Sequence, residues 1–221
     1  MHFSRLTLRA DADPRKLIGL NGSREHQALW NLFESDPEAD RDFLFRRDEQ
    51  SRQPVYYLVS ARQPADREGL WHVETKPYEP QLREGQTLAF SLRANPVITR
   101  TDAEGRSKRN DLLMDLKKQS GWQEAAAAER PALAELIQQA GELWLSNRQE
   151  RIGARIDKVL ADGYRRHQSY TRKQKQPIRY STLDLQGALT VIDSKKLLGA
   201  LLHGIGPAKA FGCGLLLVRR M

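Results

Sequence analysis

The order of apolar periodicities along the chain predicts an α+β fold of two tandem ferredoxin-like (RRM-like) βαββαβ domains with a C-terminal glycine-rich loop. Three observations carry that expectation. The first half reads strand, helix, two strands, connector and strand. The second half ends strand, helix, loop, strand. Between them, residues 99–110 are polar and charged, the character of a linker or mobile loop. The expected organisation is therefore an N-terminal domain over 1–98, a linker over 99–110 and a C-terminal domain over 111–221.

The elements follow in order. Residues 2–9, HFSRLTLR, alternate apolar and polar as a half-buried strand does. Asp11 to Gly22 is turn-rich, with Pro14 and the Asn21-Gly22 pair. From Ser23 the period becomes helical, with Ala28, Leu29, Leu32 and Phe33 on one stripe and Asp36-Pro37 as the stop. Strands are expected at Phe43–Arg46 and Val55–Ala61. Pro64–Gly69 reads as a polar connector with room for a short helical turn. Leu88–Leu92 alternates again and is expected to close the first unit before Asn95-Pro96. In the second half, helices are expected at Leu112–Lys118, Ala132–Leu145 and Ser194–Leu202. Strands are expected at Ala188–Ile192 and Leu215–Val218.

Composition narrows the classes of function. With 39% hydrophobic and 29% charged residues, the 221-residue chain reads as a globular protein with a proper core. No apolar run is long enough to span a bilayer, and the opening strand is not a basic-then-apolar leader. One cysteine, Cys213, permits no internal disulfide and reads as a small buried apolar residue. The reducing cytoplasm is the expected compartment.

The net charge of +8 is not spread evenly. Arg151 to Tyr180 carries nine Lys or Arg against two Asp, leaving the other residues near neutrality. The centre of that block, GYRRHQSYTRKQKQPIRY, sets Tyr164, Tyr170 and Tyr180 among the cations. Cations neutralise phosphates and aromatics stack on bases, so the block is expected to bind nucleic acid rather than to be a solvated loop. A second phosphate-type signal is HGIGPAKAFGCGLLLV, His203 to Val218, where four glycines and a proline surround Lys209. Exposed backbone N–H groups in such a loop suit phosphate. Nucleotide loops, however, run strand, loop, helix, whereas here a helix precedes and a strand follows. A loop that reads the backbone of a larger ligand is the better expectation.

Motifs for other chemistry are missing. The five histidines form no HxH, HExxH or Cys/His zinc spacing, and DPEADRD (Asp36 to Asp42) lacks the EF-hand pattern. No metal and no cofactor are expected. His26 stands out by position: it falls in the first turn of the first helix, at the edge of the apolar stripe and after Ser23 and Arg24. The N-terminal end of a helix favours anions such as phosphate.

Taken together, GIGPAKAFGCGLL (Gly204 to Leu216), SLRANP (Ser91 to Pro96), HQALWNLF (His26 to Phe33) and RDFLFR (Arg41 to Arg46) resemble the CasE family. These are the CRISPR repeat-processing endoribonucleases of the type I-E Cascade complex. The resemblance spans the chain. It implies tandem ferredoxin-like domains, binding to the stem-loop of CRISPR repeat RNA and one metal-independent cut at the base of the stem. It also implies retention of mature crRNA beside other Cascade subunits, with no membrane partner. It puts the catalytic histidine at His26 and a basic hairpin at Arg165, Arg166, Lys173 and Lys175. It makes Lys209 the lysine of the glycine loop, and Arg24 and Arg93 join these as expected RNA contacts. The family often carries a tyrosine where this chain has Ser23, so Tyr164, Tyr170 or a lysine is expected to take over that part. A non-catalytic RNA-binding scaffold is the alternative function.

Overall fold

The computed structural model describes residues 1–12, 23–33, 42–48, 53–169 and 176–221. The turn-rich segment after Ala12, the Asp36-Pro37 stop, Tyr170, Lys173 and Lys175 lie outside the described residues, as do the side chains of Ser23 and Arg24. The described chain forms two compact units. Unit 1 comprises Met1–Gln81, Ser169–Ile178 and Leu198–Leu215; unit 2 comprises Leu82–Gln168, Arg179–Leu197 and Leu216–Met221. The expected domains are continuous stretches, whereas both units recruit sequence from distant parts of the chain.

Unit 1 contains β1 (His2–Leu8), α1 (Ser23–Trp30), β2 (Phe43–Asp48), β3 (Val55–Ser60) and β4 (Trp71–Pro77). Its four strands lie in the order β2-β3-β1-β4, and the β2–β3, β3–β1 and β1–β4 pairs are antiparallel. This is the ferredoxin-like order, with the first strand between the third and the fourth. Leu6, Phe43, Phe45, Tyr56, Leu58 and Trp71 pack from the sheet against Leu29, Leu32 and Phe33 of α1 and the turn after it. Burying side chains of this size contributes roughly 1.5–3 kcal/mol each, the main stabilisation of the unit.

Two expectations are corrected here. Leu88–Leu92 does not close the first sheet; Trp71–Pro77 does, paired with β1 from His2↔Pro77 to Leu8↔Trp71. This edge strand alternates inward Trp71, Val73 and Thr75 with exposed His72, Glu74 and Lys76. Its polar outer face hides it from a reading by hydrophobicity. The connector also holds no helical turn: residues 61–70 are irregular, with bends at 61–62 and 67–69, fastened by Ala65 N–H donating to Leu32 O and Leu70 N–H to Asp66 Oδ1. The second helix of the motif is thus replaced by a loop.

Unit 2 begins with the strand reassigned from the first sheet, β5 (Thr87–Ala94). It continues through β6 (Val97–Thr101), β7 (Ser107–Asp111), α2 (Leu112–Gln119), α3 (Leu133–Ser146) and α4 (Gln149–Ile152). The long strands β8 (Ala154–Ser169) and β9 (Ile178–Val191) follow, then α5 (Ser194–His203) and β10 (Leu216–Arg220). Helix α5 starts in unit 2 and runs into unit 1 after Leu197. The sheet order β10-β5-β9-β8 repeats the ferredoxin-like arrangement. The segment expected to be a linker is instead an antiparallel ribbon, β6 with β7, closed by a turn in which Asp102 accepts from the N–H groups of Glu104 and Arg106. Its polar side chains looked like linker because both faces of the ribbon are exposed.

The local chemistry explains the helix starts. The Asp111 side chain caps α2 by accepting from Met114 N–H, and Asp193 does the same for α5 at Lys196 N–H. Helix α3 lies directly on its sheet. A Cβ on Gly141 would stand 2.4 Å from Ala161 Cβ, so a larger residue there would force helix and sheet apart. Among the described residues, no helix is long and apolar enough to cross a membrane.

Candidate active site

Helix α1 carries the residue with the clearest chemistry. At helical spacing, His26, Leu29 and Trp30 share a face. Leu29 is fully buried and anchors that face to the sheet. The His26 ring is half-buried, stacks on Phe43 at 5.8 Å and 22°, and tilts against Trp30 (5.8 Å) and Phe45 (6.4 Å). Phe43 and Phe45 are two apart on β2, so both present the same face of the sheet to the helix. An aromatic wall of this kind restricts the imidazole to few orientations.

The first turn of α1 is fixed from below. Glu25 Oε1 accepts from Tyr56 Oη at 2.6 Å and from Arg47 Nη1 at 2.9 Å. Arg47 and Tyr56 are direct cross-strand partners on β2 and β3.

The glycine loop arrives at the same place. Its central 3-10 turn, Lys209–Phe211, packs against α1 and β2. Gly204, Gly206, Gly212 and Gly214 all have positive φ, from 75° to 92°, and Ala208 joins them at 59°. Two of these glycines are needed for close approach as well as for conformation. A Cβ on Gly204 would lie 3.0 Å from the Leu44 side chain, and one on Gly212 3.2 Å from Phe45 Cε2. Leu44 and Phe45 point to opposite faces of β2, so the loop straddles the outer edge of that strand. The Ile205 N–H donates to Gly214 O, closing the loop on itself. Cys213 is fully buried within it. Lys209 Nζ donates to the His203 carbonyl at 2.6 Å, at the C-terminal end of α5, where a cation is favoured.

The remaining expected residues divide. Arg165 and Arg166 are exposed on β8. Arg93 is instead held by Asp184, its direct partner across β5 and β9, through two bonds of 2.8 Å, and its side chain is 13% exposed. This sheet-internal ion pair fixes the orientation of the Arg93 guanidinium. Nearby in the same unit, His167 stacks on Tyr180 at 4.8 Å and bonds Thr182 Oγ1 at 2.9 Å. Burial, reinforced by the neighbouring Asp111 carboxylate, pushes the Tyr164 hydroxyl well above the ordinary phenol range. Ser181 Oγ donates to that same Asp111. Tyr164 therefore stays protonated near neutrality and does not suit the role of a base. Arg24, Lys173, Lys175 and Tyr170 fall on residues or side chains outside the described set.

Sequence reasoning missed the Glu25–Tyr56–Arg47 cluster and the meeting of the glycine loop with α1. No local pattern encodes either, because the partners are separated by about twenty to nearly two hundred positions.

A family model described as CRISPR associated protein matches residues 1–220. The CRISPR system Cascade subunit CasE of Escherichia coli is 33% identical over 196 residues, covering 86% of this chain and 88% of its own. The CRISPR-associated endoribonuclease Cse3 of Thermus thermophilus is 29% identical over 153 residues, covering 65% of this chain and 60% of its own. The solved structure of Thermus thermophilus Cse3 bound to an RNA representing a pre-cleavage complex superposes with a TM-score of 0.69 at 26% identity, covering 99% of this chain and 98% of that one.

Proposed function

The chain belongs to the CRISPR-associated protein family that its residues 1–220 match, and from that premise we propose that it is an endoribonuclease of CRISPR repeat RNA. It binds the repeat stem-loop, cuts the precursor once at the base of the stem, and stays on the mature crRNA as a subunit of a type I-E Cascade complex in the cytoplasm. The observation that supports this most directly is the packing, within unit 1, of the glycine loop's central turn against α1, the helix that carries His26.

The chemistry needs no metal. RNA supplies its own nucleophile: the 2′-oxygen attacks phosphorus, the bond to the 5′-oxygen breaks, and the 2′-proton leaves as the 5′-oxygen gains one. The ends are a 2′,3′-cyclic phosphate and a 5′-hydroxyl. Imidazole titrates near neutral pH and can carry either proton, which is the part we give to His26. Backbone N–H groups of the positive-φ loop, with Lys209 anchored among them, suit the charged phosphorane. The exposed Arg165 and Arg166, with Lys173 and Lys175, are the cations we assign to the stem, and Arg24 remains an assigned contact near the cut.

Incubation of the protein with repeat stem-loop RNA in EDTA tests the reading. One cut leaving a cyclic phosphate is expected, and a 2′-deoxy substitution at the scissile position should abolish it. His26→Ala should slow cleavage by roughly 10²–10⁴-fold with hairpin affinity unchanged. Tight hairpin binding by the parent protein with no cleavage would leave the scaffold reading, for which the serine at position 23 in place of the family tyrosine is the favouring observation.

A further inference from the structure

We infer that Tyr56 and Glu25 are positioning residues for His26, an inference that rests on the catalytic reading of that histidine. Tyr56 is fully buried, and the Glu25 side chain is only 12% exposed. A carboxylate so far from water is unfavourable unless charge and hydrogen bonds replace its hydration. Here two donors converge on one oxygen, the Tyr56 hydroxyl at 2.6 Å and the Arg47 guanidinium at 2.9 Å. An apolar pair at positions 25 and 56 would fill the same space without that demand. What the polar trio adds is direction: charge-assisted bonds are short and angle-dependent, whereas apolar packing tolerates rotation.

The direction matters because α1 has only eight residues. Helices this short are marginal by themselves and take their geometry from tertiary contacts. Glu25 precedes His26 in the first turn, so pinning its carboxylate to β2 and β3 sets the rotation and height of the turn that carries the imidazole. A second path reinforces the first. The Tyr56 ring packs on Phe45 at 6.5 Å, and Phe45 packs on His26 at 6.4 Å. One tyrosine thus holds the histidine through its hydroxyl and through its ring. Misplacement of a reacting group by about 1 Å lowers rates by as much as 10²-fold, so loss of one arm of the trio should be visible in the cleavage step.

Tyr56→Phe removes the hydroxyl and keeps the ring; Glu25→Gln keeps an acceptor and removes the charge. With a repeat stem-loop RNA under single-turnover conditions, each variant should cleave roughly tenfold more slowly while its hairpin Kd stays within about twofold of the parent value. Tyr57→Phe, which loses the same atom from the opposite face of β3, should cleave at the parent rate. Parent-like cleavage by both Tyr56→Phe and Glu25→Gln would overturn the inference, as would a Kd that weakens in step with the rate. The ring proton shifts of His26, recorded without RNA, separate this question from catalysis. They should move in Tyr56→Phe and stay in Tyr57→Phe; shifts that stay put in both refute positioning, whatever the RNA does. His26→Ala run in parallel reports on the catalytic reading alone, which fails if that variant cuts like the parent.

Discussion

β2 in unit 1 and β8 in unit 2 hold the same place, the outer strand beside the third, in two sheets of identical order. They are finished differently. β2 is six residues long, its first three buried, and the glycine loop lies against its outer edge with Gly204 at Leu44 and Gly212 at Phe45. β8 is sixteen residues long and leaves Arg155, Lys158, Arg165 and Arg166 exposed. Where β8 passes α3 and α4, glutamines satisfy its backbone. Gln138 donates to Val159 O and accepts from Ala161 N–H, and Gln149 accepts from Ile156 N–H. Further along, charge takes over the task of discouraging strand addition. One topological slot thus serves two physical ends. A covered edge gives the rigid aromatic floor beneath His26; an open basic edge gives a ribbon suited to phosphates.

Of the effects that separate these two edges, the largest is expected on the open one. Replacing Arg165 and Arg166 together by alanine should weaken hairpin binding by about tenfold or more at low salt and lower the salt slope by about two. The single-turnover rate at saturating protein should not change. An unaltered salt slope would mean that β8 is no more than a solvated edge.

A matched pair of glycines sharpens the contrast at intermediate size. Gly212 beside β2 and Gly163 within β8 both have positive φ, and a Cβ on each would come within 3.2 Å of a neighbour, Phe45 in one case and Asp184 in the other. Alanine at either position should cost about 1–2 kcal/mol from the left-handed backbone alone. Thermal melts should therefore register both variants, but Gly212→Ala alone should also slow cleavage, because its methyl presses on the ring that backs His26. Equal cleavage rates in the two would mean that the cover over β2 is structural only.

The smallest effect concerns acid. The Arg62 guanidinium, hydrogen-bonded to Asp42 at the start of β2, holds that carboxyl below the usual carboxylate range. A carboxyl depressed on folding adds stability above its unfolded pKa, near 3.9 for aspartate, and that contribution fades as pH falls through the lower folded value. Asp42→Asn should accordingly melt below the parent protein at pH 7, with the gap narrowing toward about pH 3. A gap independent of pH would mean that the ion pair contributes through shape and not through charge.

Much of this architecture is legible in order along the chain. The alternation of β1 and the helical stripes of α1, α3 and α5 appear where periodicity puts them. The basic block becomes the β8–β9 region, and its charge is visible before any fold is known. The errors share a cause. β4 is an edge strand with a polar outer face, and β6–β7 is a ribbon with both faces wet, so neither shows the apolar signal that marks a buried strand. The Arg93 ion pair is hidden for another reason: a cation in a sequence carries no record of its partner, and Asp184 meets it only when β5 and β9 pair.

By itself, the sequence determined the two-unit α+β plan, the localisation of positive charge, the glycine loop with its lysine and the singular position of His26. These are properties of neighbouring residues: period, spacing and composition act over a few positions. Tertiary structure alone decided that the loop from the far end of the chain lies against α1 and the outer edge of β2. It also decided that Glu25, Arg47 and Tyr56 converge, and that Arg93 is tied within its sheet. Those contacts join residues far apart in the chain, and they form because strands pair and faces bury together, which no local pattern specifies.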